Sequence, residues 1–154
     1  MNDKLDNNKI DYILQACACV NLRSVSGSIT QLYNKLLEPT GLKITQYYML
    51  INIIRYPTVS ISNLGEIMSL DQTTVSRNIN ILKELNYVNI TTDKNDSRTK
   101  FISITDKGFK KLNDATPIWM QVQNAIERSF DREEYENFLK SVVKLQEVLE
   151  SFHE

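Results

Sequence analysis

The 154-residue sequence has little of the material from which many active sites are built. It contains four glycines, two cysteines and a single histidine, His153, next to the last residue. The glycine-rich phosphate motifs GxxxxGKS/T and GxGxxG are missing, as is the nucleophile motif GxSxG. Two cysteines without a second pair or a nearby histidine leave a zinc ligand set incomplete. We therefore expect no catalytic residues, no metal site and no cofactor.

Long apolar runs are also missing. The first twelve residues are polar and mixed in charge, and the apolar core of a signal peptide does not follow them. No run approaches the roughly 18 apolar residues that a membrane helix needs. These features predict a cytoplasmic protein without a membrane partner.

Charge is unevenly distributed, although the net charge is only −1. Residues 72–112 hold eight Lys or Arg and four Asp or Glu, a net charge of +4, whereas residues 124–154 hold four basic and eight acidic residues, a net charge of −4. A basic middle and an acidic end favour a nucleic-acid-facing lobe and a separate lobe. Chance segregation is the alternative.

The strongest pattern lies between Ser60 and Thr105. Apolar residues recur there at helical spacing in two segments: Ile61, Leu64, Ile67 and Met68, then Val75, Ile79, Leu82 and Leu85. Ser60 and Asp71 are suitable N-caps, and the connection at residues 69–71 is short enough to require a sharp turn. We predict two helices joined by a tight turn, with the second group of apolar residues as a buried stripe.

The opposite face of the second predicted helix carries short hydrogen-bonding groups and one guanidinium: Gln72, Thr73, Thr74, Ser76, Arg77 and Asn80. Arginine can bridge guanine O6 and N7, asparagine or glutamine can bridge adenine N6 and N7, and a threonine methyl can contact thymine. This face therefore suits a DNA major groove. An ordinary solvated amphipathic helix is the alternative.

Two alternating segments, residues 87–92 and 100–104, predict a β-hairpin. Its tip is rich in Asp, Asn and Ser, which close turns through their own side chains. Lys94, Arg98 and Lys100 lie at or beside the tip, where they could reach phosphates or the minor groove. Helix, turn, helix and basic hairpin in this order predict a winged helix-turn-helix.

With these motifs the sequence resembles the MarR family of transcription regulators. The match rests on residues 70–77 (LDQTTVSR), on Asp96-x-Arg98, and on Ile104-Thr105-x-x-Gly108. It extends to Tyr33, Pro39–Leu42, Thr45-Gln46 and Pro117-x-Trp119. The resemblance implies a homodimer whose terminal helices interlock and whose winged lobes bind successive major grooves of palindromic double-stranded DNA. It also implies that residues 71–77 enter the groove, that Arg98 reaches DNA from the wing, and that Asp96 braces the wing.

Four positions depart from the family pattern. Gly65 replaces an alanine, and Ser69 and Asn86 replace glycines. Asn86 can still adopt the left-handed conformation expected where the recognition helix ends. Ser97 replaces a second basic residue at the wing tip, so we expect weaker contact between wing and DNA.

The remaining segments read as helices. We predict one long helix from Ile10 to Leu37, a helix capped by Thr45 and ending at Arg55, and a helix capped by Thr105 that runs toward Arg128. Pro117 predicts a kink or break near residues 114–116. A capping box at Asp131 and Glu134 and a staple between Phe130 and Tyr135 open the last helix.

The predicted fold is mainly α with a small β-hairpin wing. Residues 1–42 and 106–154 form the predicted helical dimerisation region, and residues 43–105 form the predicted winged helix-turn-helix DNA-binding domain. Lys83, Lys107, Lys110 and Lys111 are candidate phosphate neighbours.

Two further sets of residues suggest control by an effector. Arg23, Tyr33, Tyr47, Tyr48 and Trp119 are candidates for binding a small anionic aromatic molecule, although such a stripe is more often core. On one continuous helix, Cys17 and Cys19 would point about 200° apart. They are either small apolar residues or redox sensors.

Together these features predict a sequence-specific DNA-binding regulator of MarR type. It would repress its own or an adjacent operon and be released by a small, aromatic ligand or by oxidation. The alternative is a winged-helix protein-interaction module without specific DNA binding.

Overall fold

The structure, a computed structural model, describes residues 5–93 and 99–152. Its elements in chain order are α1 (Asn7–Ala16), α2 (Ala18–Leu37), a 3-10 turn (Glu38–Thr40), α3 (Ile44–Arg55), α4 (Ile61–Met68), α5 (Gln72–Glu84), β1 (Val88–Thr92), β2 (Lys100–Ile104), α6 (Asp106–Glu127) and α7 (Arg132–Glu150). The predicted fold class, mainly α with one hairpin, is confirmed. The chain divides into two compact units, and the boundary between them lies between Ala115 and Thr116.

In the first unit, a core forms where α3, α4, α5 and the hairpin pack together. Strands β1 and β2 are antiparallel, with Val88 opposite Ile104 and Thr92 opposite Lys100. The fully buried side chains include Met49, Leu50, Leu64, Val75, Ile79, Leu82 and Ile102. Three residues of the predicted α5 stripe are thus confirmed. The prediction that Leu85 is buried with this stripe is wrong. Leu85 is 38% exposed, because α5 ends at Glu84 and Leu85 is its C-cap.

The turn between α4 and α5 and the end of α5 both depend on left-handed residues. Ser69 has φ of 51° and Asn86 has φ of 58°, which confirms that Asn86 adopts the conformation usually given to glycine. The predicted N-cap Ser60 is also confirmed, since its hydroxyl accepts the Asn63 N–H at 3.1 Å. These local interactions set where α4 begins and where α5 ends.

The predicted long helix from Ile10 to Leu37 is wrong in one respect, because it breaks at Cys17. Cys17 is extended, with φ of −71° and ψ of 108°. The side-chain amide of Asn21 donates to the carbonyls of Gln15 at 3.0 Å and Cys17 at 2.9 Å. Since these bonds satisfy carbonyls at the junction, α1 and α2 can form as separate helices. The 200° relation between the two thiols, which assumed one helix, therefore does not hold.

Two other helix predictions are corrected. Helix α3 starts at Ile44, so Thr45 lies inside it; the Lys43 N–H donates to the Gln46 side chain at 3.0 Å and the Ile44 N–H to Asn34 at 2.8 Å. Of the kink or break predicted at Pro117, the break is wrong, because helix α6 runs without interruption from Asp106 to Glu127, and the kink stays a prediction. Pro117 removes a single bond, to the carbonyl of Asn113, and both residues are exposed to water.

The second unit contains the connection from α6 to α7. The predicted capping box and the predicted hydrophobic staple at the start of α7 are both confirmed. The Glu134 N–H donates to Asp131 Oδ1 at 2.8 Å, and the Asp131 N–H donates to Glu134 Oε2 at 3.0 Å. The Phe130 and Tyr135 rings lie 5.9 Å apart, as the hydrophobic staple requires. Within residues 5–93 and 99–152, no helix is long and apolar enough to cross a membrane.

Candidate nucleic-acid interface

The solvent-facing side of α5 forms an open concave surface of about 620 Å³, here called the α5 surface. Its lining residues are Gln72, Thr73, Ser76, Arg77, Asn80, Ile81 and Glu84. Five of the six residues predicted to enter a groove therefore lie together. They offer amide, hydroxyl and guanidinium groups on one helix, with buried Val75, Ile79 and Leu82 on its other side. The arrangement suits hydrogen bonding to the edges of bases.

The first turn of α5 is held by Asp71. Its Oδ1 accepts the Thr74 N–H at 2.8 Å, and its Oδ2 accepts the Thr74 hydroxyl at 2.7 Å. The Thr74 hydroxyl bond, followed by the Thr74 amide bond, holds the pKa of Asp71 below its ordinary value of 3.8. Thr74, the sixth predicted groove residue, is thus used by the cap. The carboxylate also lies at the positive end of the helix dipole, where negative charge is favoured.

Gly65 and Gln72 bring the ends of α4 and α5 close together. The Leu70 N–H donates to the Gly65 carbonyl at 2.9 Å, and a Cβ on Gly65 would lie 3.1 Å from the Leu70 oxygen and 3.3 Å from Gln72 Nε2. The same Gln72 amide points at the Ser62 carbonyl, 3.5 Å away, which is long for a hydrogen bond. The glycine at position 65 therefore makes room for the turn and for Gln72.

A second polar concavity of about 400 Å³ adjoins the α5 surface, since Gln72 lines both. Its other lining residues are Thr58, Ser60, Ile61, Ser62, Asn63, Thr99, Lys100 and Phe101. Lys100, the first residue of β2, lies here as an exposed cation. Lys94, Asp96 and Arg98, the other wing residues of the prediction, lie outside the described residues.

Some residues of these surfaces were not predicted. Ile81 and Glu84 line the α5 surface, and Ser62 and Asn63 line its neighbour. Glu84 follows Asn80 by four residues, so helical spacing could have identified it. Ser62 and Asn63 come close to Gln72 through the α4–α5 turn, and the sequence carries no direct signal of that approach.

The candidate effector residues differ in exposure. Tyr33 and Tyr47 are buried in the first unit, 6% and 5% exposed, whereas Tyr48 and Arg23 are exposed. Trp119, in the second unit, is half-buried. Both cysteines are free thiols: Cys17 is half-buried at the junction of α1 and α2, and Cys19 is exposed in the first turn of α2.

Comparisons with known proteins agree with this architecture. A family model described as MarR family matches residues 40–99. The transcriptional regulator SarZ of Staphylococcus epidermidis is 31% identical over 117 residues, covering 76% of this chain and 78% of that protein. The organic hydroperoxide resistance transcriptional regulator of Bacillus subtilis is 25% identical over 108 residues, covering 70% and 71%. The M. tuberculosis regulator MosR in complex with DNA has a TM-score of 0.78 at 27% identity, covering 88% of this chain and 97% of that one.

Proposed function

The chain belongs to the MarR family of transcriptional regulators, and we propose that it acts as a homodimer that binds palindromic double-stranded DNA in a sequence-specific way. The observation that carries this proposal is the α5 surface. It gathers Gln72, Thr73, Ser76, Arg77 and Asn80 on one exposed helix face. The similarity to MosR, whose structure contains DNA, supports the same use of this face.

In this proposal α5 enters the major groove, and its side chains contact the base edges. Arg77 would pair with a guanine, and Gln72 or Asn80 with an adenine. Thr74, which is bonded to Asp71, would fix the start of α5 and leave base contact to its neighbours. Lys100 and the wing residues Lys94 and Arg98 would bind phosphates or the minor groove, with Asp96 bracing Arg98.

The homodimer is supported by apolar side chains that each unit leaves exposed. Val25, Ile29, Leu32 and Leu36 recur at three- and four-residue spacing on α2 and are 39–51% exposed. On α7, Phe138, Leu139, Val143 and Leu149 are 45–52% exposed. Such stripes normally face another surface. Light scattering coupled to size exclusion should give twice the 17.8 kDa of one chain, and a mass of one chain would contradict the dimer.

We also propose that the protein represses its own or an adjacent operon and that an effector releases it. Exposed Arg23 and Tyr48 support an anionic aromatic ligand, whereas Tyr33, Tyr47 and Trp119 stay separate predictions as effector residues. Exposed Cys19 beside Cys17 supports oxidation: a hydroperoxide would transfer one oxygen to a thiol, giving a sulfenic acid and an alcohol. Phenolates and an organic hydroperoxide should be added separately to the DNA complex. Release by the hydroperoxide that persists in the double variant Cys17→Ser, Cys19→Ser would exclude the thiols.

The direct test is fluorescence anisotropy on a duplex from the region upstream of the protein's own gene, beside a scrambled duplex of equal length. Reductant should be present, and two salt concentrations should be compared. We expect tight binding to the native duplex alone, weakening steeply as salt rises, because each neutralised phosphate releases counterions. Weak binding to both duplexes with a flat salt dependence would contradict the proposal and favour a protein-interaction module.

A further inference from the structure

The end of α5 is fastened to the first turn of α6 by six residues, here called the α5–α6 joint: Leu85, Asn86, Tyr87, Thr105, Lys107 and Gly108. All six belong to the first unit. Thr105 and Gly108 of the joint belong to the Ile104-Thr105-x-x-Gly108 motif, which carries part of the family resemblance. None of these residues lines the α5 surface, so DNA contact does not explain them.

Thr105 makes three hydrogen bonds within the joint. Its hydroxyl donates to the Asn86 carbonyl at 2.7 Å and accepts the Gly108 N–H at 3.0 Å. Its own N–H donates to the Tyr87 carbonyl at 3.0 Å. One residue therefore caps α6 and also binds Asn86 and Tyr87, the two residues that follow the C-cap of α5.

Lys107 crosses from α6 to the end of α5. Its ammonium donates to the Leu85 carbonyl at 2.9 Å and lies 5.4 Å from the centre of the Tyr87 ring. The last carbonyls of a helix carry partial negative charge, so a cation is favoured there. An aromatic face adds further attraction. The lysine predicted to neighbour a phosphate is thus directed at the protein itself.

Gly108 lets the two backbones touch. A Cβ on this residue would overlap the Tyr87 carbonyl oxygen and would lie 3.0 Å from Ile104 Cγ1. Hydrogen bonds, an exposed charge–dipole contact and close backbone packing therefore act on the same short segment. Such contacts restrict both the tilt and the rotation of α5 relative to the start of α6.

We infer that the α5–α6 joint sets the angle of the recognition helix and thereby restricts the protein to one half-site spacing. The inference rests on the proposed function. In a dimer on a palindrome, two recognition helices must match grooves about 34 Å apart. An inserted base pair moves and rotates one half-site, and a rigid joint cannot follow it. Thr105 and Lys107 are therefore positioning residues.

The experiment begins with the palindrome that the wild-type protein selects from random duplexes. Affinities are then measured for this palindrome and for a copy with one base pair inserted between its half-sites. The variants are Lys107→Met, which keeps an apolar stem over Tyr87, and Thr105→Val. Lys110→Met is the matched control, because Lys110 is an exposed lysine in the next turn of the same helix. Thr105→Ser restores the hydroxyl.

We expect the wild-type protein to prefer the uninterrupted palindrome strongly. Lys107→Met and Thr105→Val should lower that preference by about three- to tenfold, the range expected for a lost hydrogen bond to a charged or polar group. Lys110→Met and Thr105→Ser should keep the wild-type ratio. A lysine that only neighbours phosphates would change both affinities equally and leave the ratio unchanged, as we expect for Lys110→Met.

A Lys107→Met ratio equal to that of Lys110→Met would overturn the inference while leaving the proposed function intact. A wild-type protein that binds both spacings equally would also overturn it. If the wild-type protein selects no duplex, the proposed function fails and the inference falls with it. Circular dichroism checks that each variant is folded; if Thr105→Val is unfolded, the comparison of the two lysine variants decides alone.

Discussion

Three helical glycines, changed one at a time to alanine, should shift stability in different directions. Gly27 in α2 has no atom within 4 Å of an added Cβ, Gly65 in α4 has the Leu70 oxygen at 3.1 Å, and Gly108 in α6 has the Tyr87 carbonyl in overlap. Helix propensity alone would favour alanine at every one of these positions. The structure predicts that the available space reverses this preference at Gly108.

The size of each stability change follows from two opposing effects, the higher helix propensity of alanine and the steric overlap of its methyl group. At Gly27 only the backbone term acts, so Gly27→Ala should stabilise by about 0.5–1 kcal/mol. At Gly108 the new methyl meets backbone that cannot rotate away, so Gly108→Ala should destabilise by about 1–3 kcal/mol, the usual cost of overpacking. At Gly65 the new methyl would press against the Leu70 backbone oxygen, whereas the flexible Gln72 amide can move away from it. Gly65→Ala should therefore fall between the other two.

Thermal unfolding followed by circular dichroism measures the series. All variants need the same protomer concentration, because dimer formation makes the midpoint concentration-dependent. For a chain of this size 1 kcal/mol corresponds to about 2–4 °C, so the midpoint of Gly108→Ala should fall by about 2–12 °C. A Gly108→Ala protein at least as stable as wild type would refute the close contact of α6 with Tyr87. A destabilised Gly27→Ala would refute the open space around α2.

Two further predictions concern α5. The pKa of Asp71 is lowered in the folded protein, so the stabilisation from its cap is fully present above the ordinary value of 3.8 and is lost as the pH falls through the lowered value. Asp71→Asn should therefore show a smaller decrease of the urea midpoint with falling pH in that acid range. The same decrease in Asp71→Asn and wild type would contradict the cap. Leu82 is completely buried and Leu85 is 38% exposed, so Leu82→Ala should cost about 2–5 kcal/mol in urea denaturation and Leu85→Ala clearly less; equal costs would contradict the corrected end of α5.

Features decided within one turn of chain could be predicted from the sequence. Ser60, Asp71 and Asp131 each bind an N–H three residues away, so their caps are visible as short patterns. The α5 surface was predictable for the same reason, since helical spacing places its side chains together. Only the described part of the chain bears on this comparison, and the wing tip lies outside it.

Features that depend on one particular hydrogen bond, or on the exact residue at which a helix ends, were not predictable. The break at Cys17 depends on an asparagine amide that binds two carbonyls at once, whereas the apolar pattern continues across it. The helical period also runs past the end of α5, which made Leu85 look buried. Lys107 binds a carbonyl 22 residues earlier, and a pattern of charges cannot distinguish that contact from a phosphate contact.

The central claim is that α5 reads bases, and the most direct measurement is the affinity of Arg77→Ala for the selected palindrome and for each of its single-base variants. Arg55→Ala is the control, since Arg55 is an exposed arginine at the end of α3 and does not line the α5 surface. We predict that Arg77→Ala loses about 1–3 kcal/mol and relaxes base preference at one position, while Arg55→Ala keeps wild-type preference. Equal affinity and equal base preference in the two variants would contradict the claim.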